Sequence, residues 1–164
     1  MLMTGEEYRE SLRRLAPRVF VNGERIESVA DHPSLAPGIN AMAITYDYAH
    51  DERYRQLMTA TEQSSGKVVN RMLHIYRSPQ DLIEKLEAVR LTCREVGCAQ
   101  RYLAHDSLSA VYQAVHRMDA ETGAEMLPRF LAYLHRVQNE DLSIGVAMTD
   151  GKGDRSLRPS QQSN

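Results

Sequence analysis

Cysteine, long apolar runs and an excess of one charge are all scarce in this 164-residue sequence, and each shortage excludes a class of protein. Its two cysteines, Cys93 and Cys98, cannot build the disulfide framework of a small secreted domain. No apolar run approaches the roughly 20 residues that span a bilayer. The acidic N-terminus, residues 1–7, lacks the apolar stretch of a secretory signal. The formal net charge of −2 provides no overall attraction to nucleic acid or to an anionic membrane. We therefore expect a cytoplasmic protein that binds neither.

Common metal and nucleotide motifs are also missing. The six histidines show neither an H-x3-H nor an HExxH spacing, so no zinc site is expected. Cys93 and Cys98 have a C-x4-C spacing without a second pair, and Cys93 falls on an apolar stripe, which favours a core position. Neither a GxGxxG sequence nor a Walker loop is present. The sequence therefore predicts no metal site.

The first 60 residues combine a capped helix, a hairpin and a second helix. Thr4 and Glu7 fit a capping box, and Pro17 ends the first helix. The pair Asn22-Gly23 between short apolar runs predicts a β-hairpin, because both turn positions need a positive φ. Residues 31–40 are punctuated by proline and glycine and predict a loop. Residues 41–58 predict a helix that is interrupted near residues 50–51.

Three amphipathic helices are predicted in the second half. Ser78 and Pro79 begin the first of them and Gly97 ends it. Asp106 is the expected cap of the second. The apolar positions expected inside the three helices follow in chain order: Leu82, Leu86, Val89, Cys93 and Val96; Leu108, Val111, Tyr112, Val115 and Met118; Leu127, Phe130, Leu131, Leu134 and Val137. With 42% apolar residues, we predict a mainly α protein, a helical bundle with a small N-terminal β-hairpin. Residues 1–150 form the helical domain, and residues 151–164 form a loop and a frayed tail.

Residues 148–155 make the first candidate site. Gly151 and Gly153 allow backbone amides to approach a ligand closely, while Lys152 and Arg155 supply positive charge. This mixture suits the pyrophosphate and the ring acceptors of a flavin dinucleotide. A solvated turn has the same composition, and the residues alone favour that alternative.

The second candidate site lies between two predicted helices. Arg101 could bind a carboxylate or a phosphate, His105 could act as an acid or a base, and Gln100 could orient a carbonyl. The alternative is a surface junction in which Arg101 pairs with a carboxylate on a helix.

These features occur in the order in which one family has them. The sequence resembles the N-terminal segment of the 4-hydroxyphenylacetate 3-hydroxylase and 4-hydroxybutyryl-CoA dehydratase family over nearly its whole length. The matching stretches are MLMTGEEY (1–8), RVFVNGERI (18–26), DHP (31–33), PGIN (37–40), TYD (45–47), LMT (57–59), NR (70–71), QNEDL (138–142), AMTD (147–150) and KGDR (152–155).

The resemblance implies a fold and two kinds of chemistry. It implies the N-terminal helical part of an acyl-CoA dehydrogenase-like architecture, followed by a β-domain and a C-terminal helical bundle, in a homo-oligomer. Hydroxylase members use reduced FAD, delivered by a separate flavin reductase, to hydroxylate a phenolic substrate. Dehydratase members hold FAD and an iron–sulfur cluster and act on a 4-hydroxyacyl-CoA.

The resemblance also assigns roles to individual residues. Met148, Thr149, Lys152, Gly153, Asp154 and Arg155 would contact FAD; Gln100, Arg101 and His105 would face the substrate, with His105 in a catalytic role. The dehydratase pattern has cluster cysteines where this chain has Cys98 and Tyr102, and a phenol cannot replace the second thiolate. An iron–sulfur cluster is therefore not expected.

The hydroxylase pattern is incomplete as well. Hydroxylases bind the phenol with an arginine, a tyrosine and a histidine. Arg101 matches the arginine, but this chain has His105 and Val146 at the other two positions. The leading interpretation is an incomplete flavin-dependent monooxygenase of the oxidoreductase class that lacks the β-domain expected after Pro159. The alternatives are a dehydratase-like lyase and a non-catalytic remnant or subunit of a split enzyme.

Overall fold

The computed structural model describes residues 1–98, 101–146, 153–154 and 156–162. These residues form a mainly helical protein with two small antiparallel hairpins, which confirms the predicted fold class. The elements are α1 (Gly5–Leu15), β1 (Phe20–Val21), β2 (Glu24–Arg25), α2 (Ala36–Asp47), α3 (Arg55–Met58), β3 (Thr59–Thr61), β4 (Val68–Asn70), a 3-10 turn (Arg71–Leu73), α4 (Pro79–Val96), α5 (Tyr102–Thr122), α6 (Met126–Asn139) and a last 3-10 turn (Pro159–Gln161).

The capping box and the first hairpin form as predicted. Thr4 Oγ1 accepts a hydrogen bond from the Glu7 amide at 3.2 Å, and the Glu7 carboxylate accepts one from the Thr4 amide at 2.7 Å. In the hairpin, Asn22 and Gly23 have φ values of 51° and 86°, as a tight two-residue turn requires. Phe20 pairs with Arg25 in the ladder. Local sequence therefore suffices to determine this end of the fold.

One prediction for the region before α4 needs correction. Residues 36–40 are not loop, because α2 begins at Ala36 and holds Pro37 within its first turn. Proline is tolerated there, since the first amides of a helix have no intrahelical acceptor. The predicted interruption near residues 50–51 is confirmed, because residues 48–54 lie outside the helices. The hairpin of β3 and β4 was not predicted; its short strands have no alternating apolar pattern.

Helix α4 has the predicted ends but buries a different face. Ser78 caps it in a box with Asp81, and Gly97 ends it at φ 78°. The predicted buried stripe is wrong, because Leu82 and Leu86 are 45% and 55% exposed. The fully buried positions are Ala88 and Thr92, on the face that contacts α3 and α2. Cys93 is only partly buried and Cys98 is exposed.

Helices α5 and α6 form an antiparallel pair joined by a short turn. Helix α5 begins at Tyr102, so Asp106 lies inside it and is not the predicted cap. Val111 and Met118, expected inside, are exposed. The α6 stripe is confirmed at its centre, where Phe130, Leu134 and Val137 are buried. Asp119 of α5 caps α6, accepting hydrogen bonds from the amides of residues 126 and 127 at 2.7 Å.

Three apolar clusters form the core, and a layer of polar side chains lies among them. The largest cluster joins α5 and α6 to the 3-10 turn before α4; its buried members are Leu73, Ile75, Leu108, Val115, Phe130, Leu134 and Val137. The other two lie around α3 and α4 and between α1 and α2. The buried polar layer contains Glu62, Asn70, Arg71, His74, Arg101, His105, Gln138 and Asp141. Within the described ranges, no helix is long and apolar enough to cross a membrane.

Candidate functional site

Two of the predicted site residues meet at the start of α5. Arg101 occupies the position that precedes α5 and has a helical backbone conformation, and His105 follows one turn later. Residues four apart on a helix lie on the same face. Both side chains are buried, Arg101 at 1% and His105 at 0% exposure. Gln100 lies outside the described residues.

Arg101 is held by an ion pair that the sequence did not predict. Its Nη2 atom donates to Asp141 Oδ1 at 2.5 Å and to the Asp141 carbonyl at 3.2 Å. The guanidinium carbon lies 3.7 Å from the centre of the Tyr46 ring, whose hydroxyl forms a 2.7 Å hydrogen bond with Ser143. Tyr8 stacks on Tyr46, with ring centres 4.8 Å apart. The predicted alternative, a surface junction with a helical carboxylate, is wrong: Arg101 is buried, and Asp141 follows the end of α6.

Two donor nitrogens of the Arg101 guanidinium have no acceptor among the described residues. Arg101 Nε and Nη1 are buried and have no hydrogen-bond partner among the described residues. A buried polar group in this condition costs about 1–3 kcal/mol, so native structures rarely leave one unpaired without a reason. These donors are available to a ligand or to another part of the protein.

His105 is also buried without hydrogen-bond partners among the described residues. Neither of its ring nitrogens has a hydrogen-bond partner in the part of the chain that the structure describes. Burial, reinforced by the charge of His74, lowers the pKa of His105 to about 3. The imidazole is therefore uncharged at neutral pH, where it can donate or accept a hydrogen bond. It packs on the Tyr76 ring at 4.3 Å between centres.

A hydrogen-bonded triad of Tyr76, Asp106 and Lys85 adjoins His105. The Tyr76 hydroxyl donates to Asp106, and Lys85 Nζ lies 3.0 Å from both oxygens of the same carboxylate. Burial alone would raise the pKa of Asp106, but Tyr76 and Lys85 lower it overall. The Lys85 ammonium lies 5.5 Å from the centre of the Tyr102 ring. Tyr102 thus packs against the Lys85 ammonium.

A second buried acid, Glu62, was missed by sequence reasoning. Glu62 follows β3 and is fully buried. Its Oε2 accepts a hydrogen bond from Gln138 Nε2 at 3.0 Å and another from the Ile75 amide at 3.3 Å. His74 Nδ1 lies 3.3 Å from the same oxygen, and Arg77 lies 3.8 Å from the other. Burial alone would raise the pKa of Glu62, but His74 first, and then Gln138 and the Ser64 amide, lower it to about 2. This carboxylate is therefore charged at neutral pH.

The predicted flavin stretch is described only at Gly153 and Asp154, which are both exposed. The Asp154 amide donates to Gln162 Oε1 at 2.8 Å, and Gln162 Nε2 donates back to the Asp154 carbonyl at 2.6 Å. Ser156 donates to the Asp154 carboxylate, which lowers the pKa of Asp154. The other predicted flavin contacts, Met148, Thr149, Lys152 and Arg155, lie outside the described residues.

The described residues supply one thiol and one phenol at the positions that the resemblance links to an iron–sulfur cluster. Cys98 is an exposed free thiol, and Tyr102 offers a phenol in place of a second thiolate. Among the described residues, no group of three or more His, Cys, Asp or Glu side chains could hold a metal ion. Gln162 packs closely against exposed Gly153: a Cβ at Gly153 would lie 1.9 Å from Gln162 Oε1.

Asp141, Tyr46 and Glu62 are the functional candidates that sequence reasoning missed. Asp141 and Tyr46 both belong to stretches that carry the family resemblance, QNEDL and TYD, but pairing across 40 or more residues leaves no mark in one sequence. Glu62 lies in a polar turn that predicts solvent exposure. The tertiary structure alone brings these residues together.

Comparisons with known proteins identify the family of the chain. The family model described as "4-hydroxyphenylacetate 3-hydroxylase N terminal" matches residues 4–164. The chain is 42% identical to the 4-hydroxybutyryl-CoA dehydratase/vinylacetyl-CoA-Delta-isomerase of Clostridium aminobutyricum, over 99% of this chain and 33% of that protein. It is 30% identical to the 4-hydroxyphenylacetate 3-monooxygenase oxygenase component of Thermus thermophilus, with the same coverage.

Solved structures give the same two classes of enzyme. An oxygen-tolerant archaeal 4-hydroxybutyryl-CoA dehydratase from N. maritimus superposes with a TM-score of 0.91 at 38% identity, over 100% of this chain and 33% of that one. The oxygenase component of a 4-hydroxyphenylacetate 3-monooxygenase, complexed with FAD and 4-hydroxyphenylacetate, superposes with a TM-score of 0.75 at 28% identity, over 99% and 33%. The chain therefore spans about a third of the length of these relatives and belongs to the 4-hydroxyphenylacetate 3-hydroxylase N-terminal family.

Proposed function

We propose that this chain is the N-terminal, helical part of an FAD-dependent oxidoreductase that hydroxylates a phenolic or related substrate. The observation that carries the proposal is the pair of buried side chains, Arg101 and His105, which lie one helical turn apart with donors that the described residues leave unpaired. The family resemblance assigns the substrate to this turn. One structural relative is complexed with FAD and 4-hydroxyphenylacetate, which supports a flavin and a phenolic substrate.

Each predicted site residue would have a defined role in this enzyme. Reduced FAD, supplied by a separate reductase, would provide the electrons for splitting dioxygen when it is bound. Arg101 and uncharged His105 would donate hydrogen bonds to the substrate and fix its orientation. Lys152 and Arg155 would neutralise the flavin pyrophosphate, while Gly153 would admit it close to the backbone. Gln100 would orient the substrate, and Asp154, with Met148 and Thr149, would contact the flavin.

We further propose that the site needs segments outside residues 1–164. The relatives are about three times as long, and the described part of the chain supplies Gly153 and Asp154 only as exposed residues. Domain 1–150 would carry the substrate turn, and residues 151–164 would lead toward the β-domain that covers the flavin. A homo-oligomer is the assembly expected for the complete enzyme.

Isolated residues 1–164 should accordingly bind FAD more weakly than micromolar and show no turnover. Ordering the flavin stretch would cost about 1–2 kcal/mol per residue fixed, with few contacts to offset that cost. Isothermal titration with FAD measures the affinity, and oxygen uptake with a flavin reductase and phenolic substrates measures turnover. Riboflavin, which lacks the pyrophosphate, is the matched control ligand and should bind more weakly still.

Two outcomes of this titration would contradict the proposal. Micromolar or tighter FAD binding with coupled product formation would show a self-sufficient enzyme. Equal affinity for riboflavin and FAD would remove the proposed role of Lys152 and Arg155.

The second candidate is a dehydratase-like lyase that acts on an acyl-CoA substrate. It is favoured by the higher identity and TM-score to the dehydratases, 42% and 0.91 against 30% and 0.75 for the monooxygenases. It is disfavoured by Tyr102, which stands where the dehydratase pattern has a cluster cysteine.

The presence of iron would favour the second candidate. Because Cys98 is the single thiol at the start of α5, anaerobically purified protein should contain less than one tenth of an equivalent of iron and of acid-labile sulfide. The variant Tyr102→Cys, which restores the second thiolate, is the matched comparison. Stoichiometric iron and sulfide with a broad visible band in the unmodified protein would establish the dehydratase-like alternative.

A further inference from the structure

One face of α4 carries an apolar stripe that lies in solvent. Leu82, Ile83 and Leu86 are exposed, and Val89 and Cys93, further along the helix, are only partly buried. The opposite face of α4 packs against α2 and α3. Contiguous exposed apolar surface of this kind often marks an interaction site. The stripe that the sequence assigns to the core is therefore available to a partner.

The spacing of this stripe is that of a coiled-coil seam. Leu82, Leu86, Val89, Cys93 and Val96 follow one another at intervals of four, three, four and three residues. This alternation keeps the row on one side of a helix and is the pattern by which two helices pack knobs into holes. Helix α4 has 18 residues and carries the whole row. We call these five residues the α4 seam.

The α4 seam is complementary to itself when a second copy of the helix runs in the opposite direction. With a two-fold axis between residues 87 and 88, Leu86 of one copy lies opposite Val89 of the other, and Leu82 lies opposite Cys93. Each layer then pairs a larger apolar side chain with a smaller one. A two-fold interface makes every such contact twice, because each copy presents the same surface.

The exposed charges beside the α4 seam suit the same pairing. Glu87 and Arg90 lie 2.9 Å apart as an ion pair on the helix, and their side chains are 51% and 63% exposed. The two-fold axis brings Glu87 of each copy near Arg90 of the other, so that both arginines can bridge the two helices. A parallel pair would place Lys85 of one copy beside Arg90 of the other, since these are the flanking positions of consecutive heptads. Like charges there disfavour the parallel arrangement.

We propose that α4 is a self-association surface, at which two copies of this chain pair antiparallel through the α4 seam. The partner is a second copy because both the apolar layers and the flanking charges complement this helix itself. One helix pair makes a small interface, so the dimer should form in a concentration-dependent way. The inference concerns residues 1–164 and is independent of the flavin and substrate proposals.

Sedimentation equilibrium of residues 1–164 in reducing buffer, over a concentration series, tests the association. The unmodified chain should approach the mass of two copies as its concentration rises. Leu86→Glu, which places a charge at the centre of the α4 seam, should raise the dissociation constant at least tenfold. The matched control is Leu15→Glu, the same change at an exposed leucine of α1, which should leave the constant unaltered. A chain that stays monomeric, or a dimer that tolerates Leu86→Glu, would overturn the proposal.

Charge reversal tests the flanking contacts in the same experiment. Glu87→Arg alone should raise the dissociation constant about threefold, the size of effect expected for exposed ion pairs. The double variant Glu87→Arg with Arg90→Glu should restore the original constant, because the exchanged charges can pair across the axis again. A double variant as weak as the single one would contradict the pairing.

Disulfide trapping determines the direction of the two helices. Cys98→Ser first removes the exposed thiol, which leaves Cys93 as the native one. Leu82→Cys in that background should then give, on mild oxidation, a disulfide between the introduced thiol of one copy and Cys93 of the other, which peptide mapping identifies. The bond cannot form within one copy, because positions 82 and 93 are about 16 Å apart along a helix. Bonds that join Cys93 to Cys93, or no bond in a sample that sediments as a dimer, would overturn the antiparallel arrangement.

Discussion

Replacing Arg101 by alanine should lower the free energy of unfolding by about 3–5 kcal/mol, the usual effect of removing one partner of a buried ion pair. The substitution leaves the Asp141 carboxylate fully buried without its cation. It also removes the group that covers the Tyr46 ring. Urea denaturation followed by circular dichroism measures the change. The control is Arg136→Ala, since Arg136 pairs with Glu140 on the surface, where both side chains are more than half exposed. That loss should stay near 0.5 kcal/mol.

Removing both charges should restore much of the loss. In the double variant Arg101→Met with Asp141→Leu, no buried charge is left unpaired, and well-packed apolar replacements of buried ion pairs are often neutral or stabilising. We expect it to be more stable than Arg101→Ala by at least 2 kcal/mol, on the order of the penalty for an unpaired buried charge. A loss below about 1 kcal/mol in Arg101→Ala would mean that the pair does not hold the fold together.

Acid should destabilise the protein in part through Glu62. The pKa of Glu62 is lowered to about 2 in the folded protein from an ordinary 4.5, so its contribution is fully present above pH 4.5. That contribution is lost as the pH falls from about 4.5 to about 2, because the unfolded chain then binds the proton first. A shift of this size corresponds to about 3 kcal/mol.

The variant Glu62→Gln isolates this effect. Its stability should lie below that of the unmodified protein at pH 7, and the difference should shrink as the pH falls below 4.5. Buried His105 adds its own loss as the pH falls from its ordinary 6.5 toward about 3, since its folded form stays uncharged. That loss is common to both proteins and cancels in the comparison. The exposed Glu87→Gln serves as the control, and a pH-independent difference for Glu62→Gln would contradict the assignment.

The locally encoded parts of this protein could be predicted from its sequence. The capping box at Thr4, the Asn22-Gly23 turn, the Ser78 cap and the Gly97 stop all formed where their residue types require them. Each depends on side-chain and backbone preferences within a few residues, which one sequence displays completely. The family followed from ordered matches along the chain, and the family model confirmed it over residues 4–164.

Which faces are buried and which charges meet depends on packing between distant elements. Apolar periodicity located α4 but assigned its buried face to Leu82 and Leu86, which are exposed, instead of Ala88 and Thr92. Helical spacing shows that an apolar stripe exists and does not show which neighbours approach the helix. The pairing of Arg101 with Asp141, 40 residues apart, has the same origin. Burial and long-range charge compensation arise from packing between elements, so the chemistry of this site is set by the fold and not by the local motif.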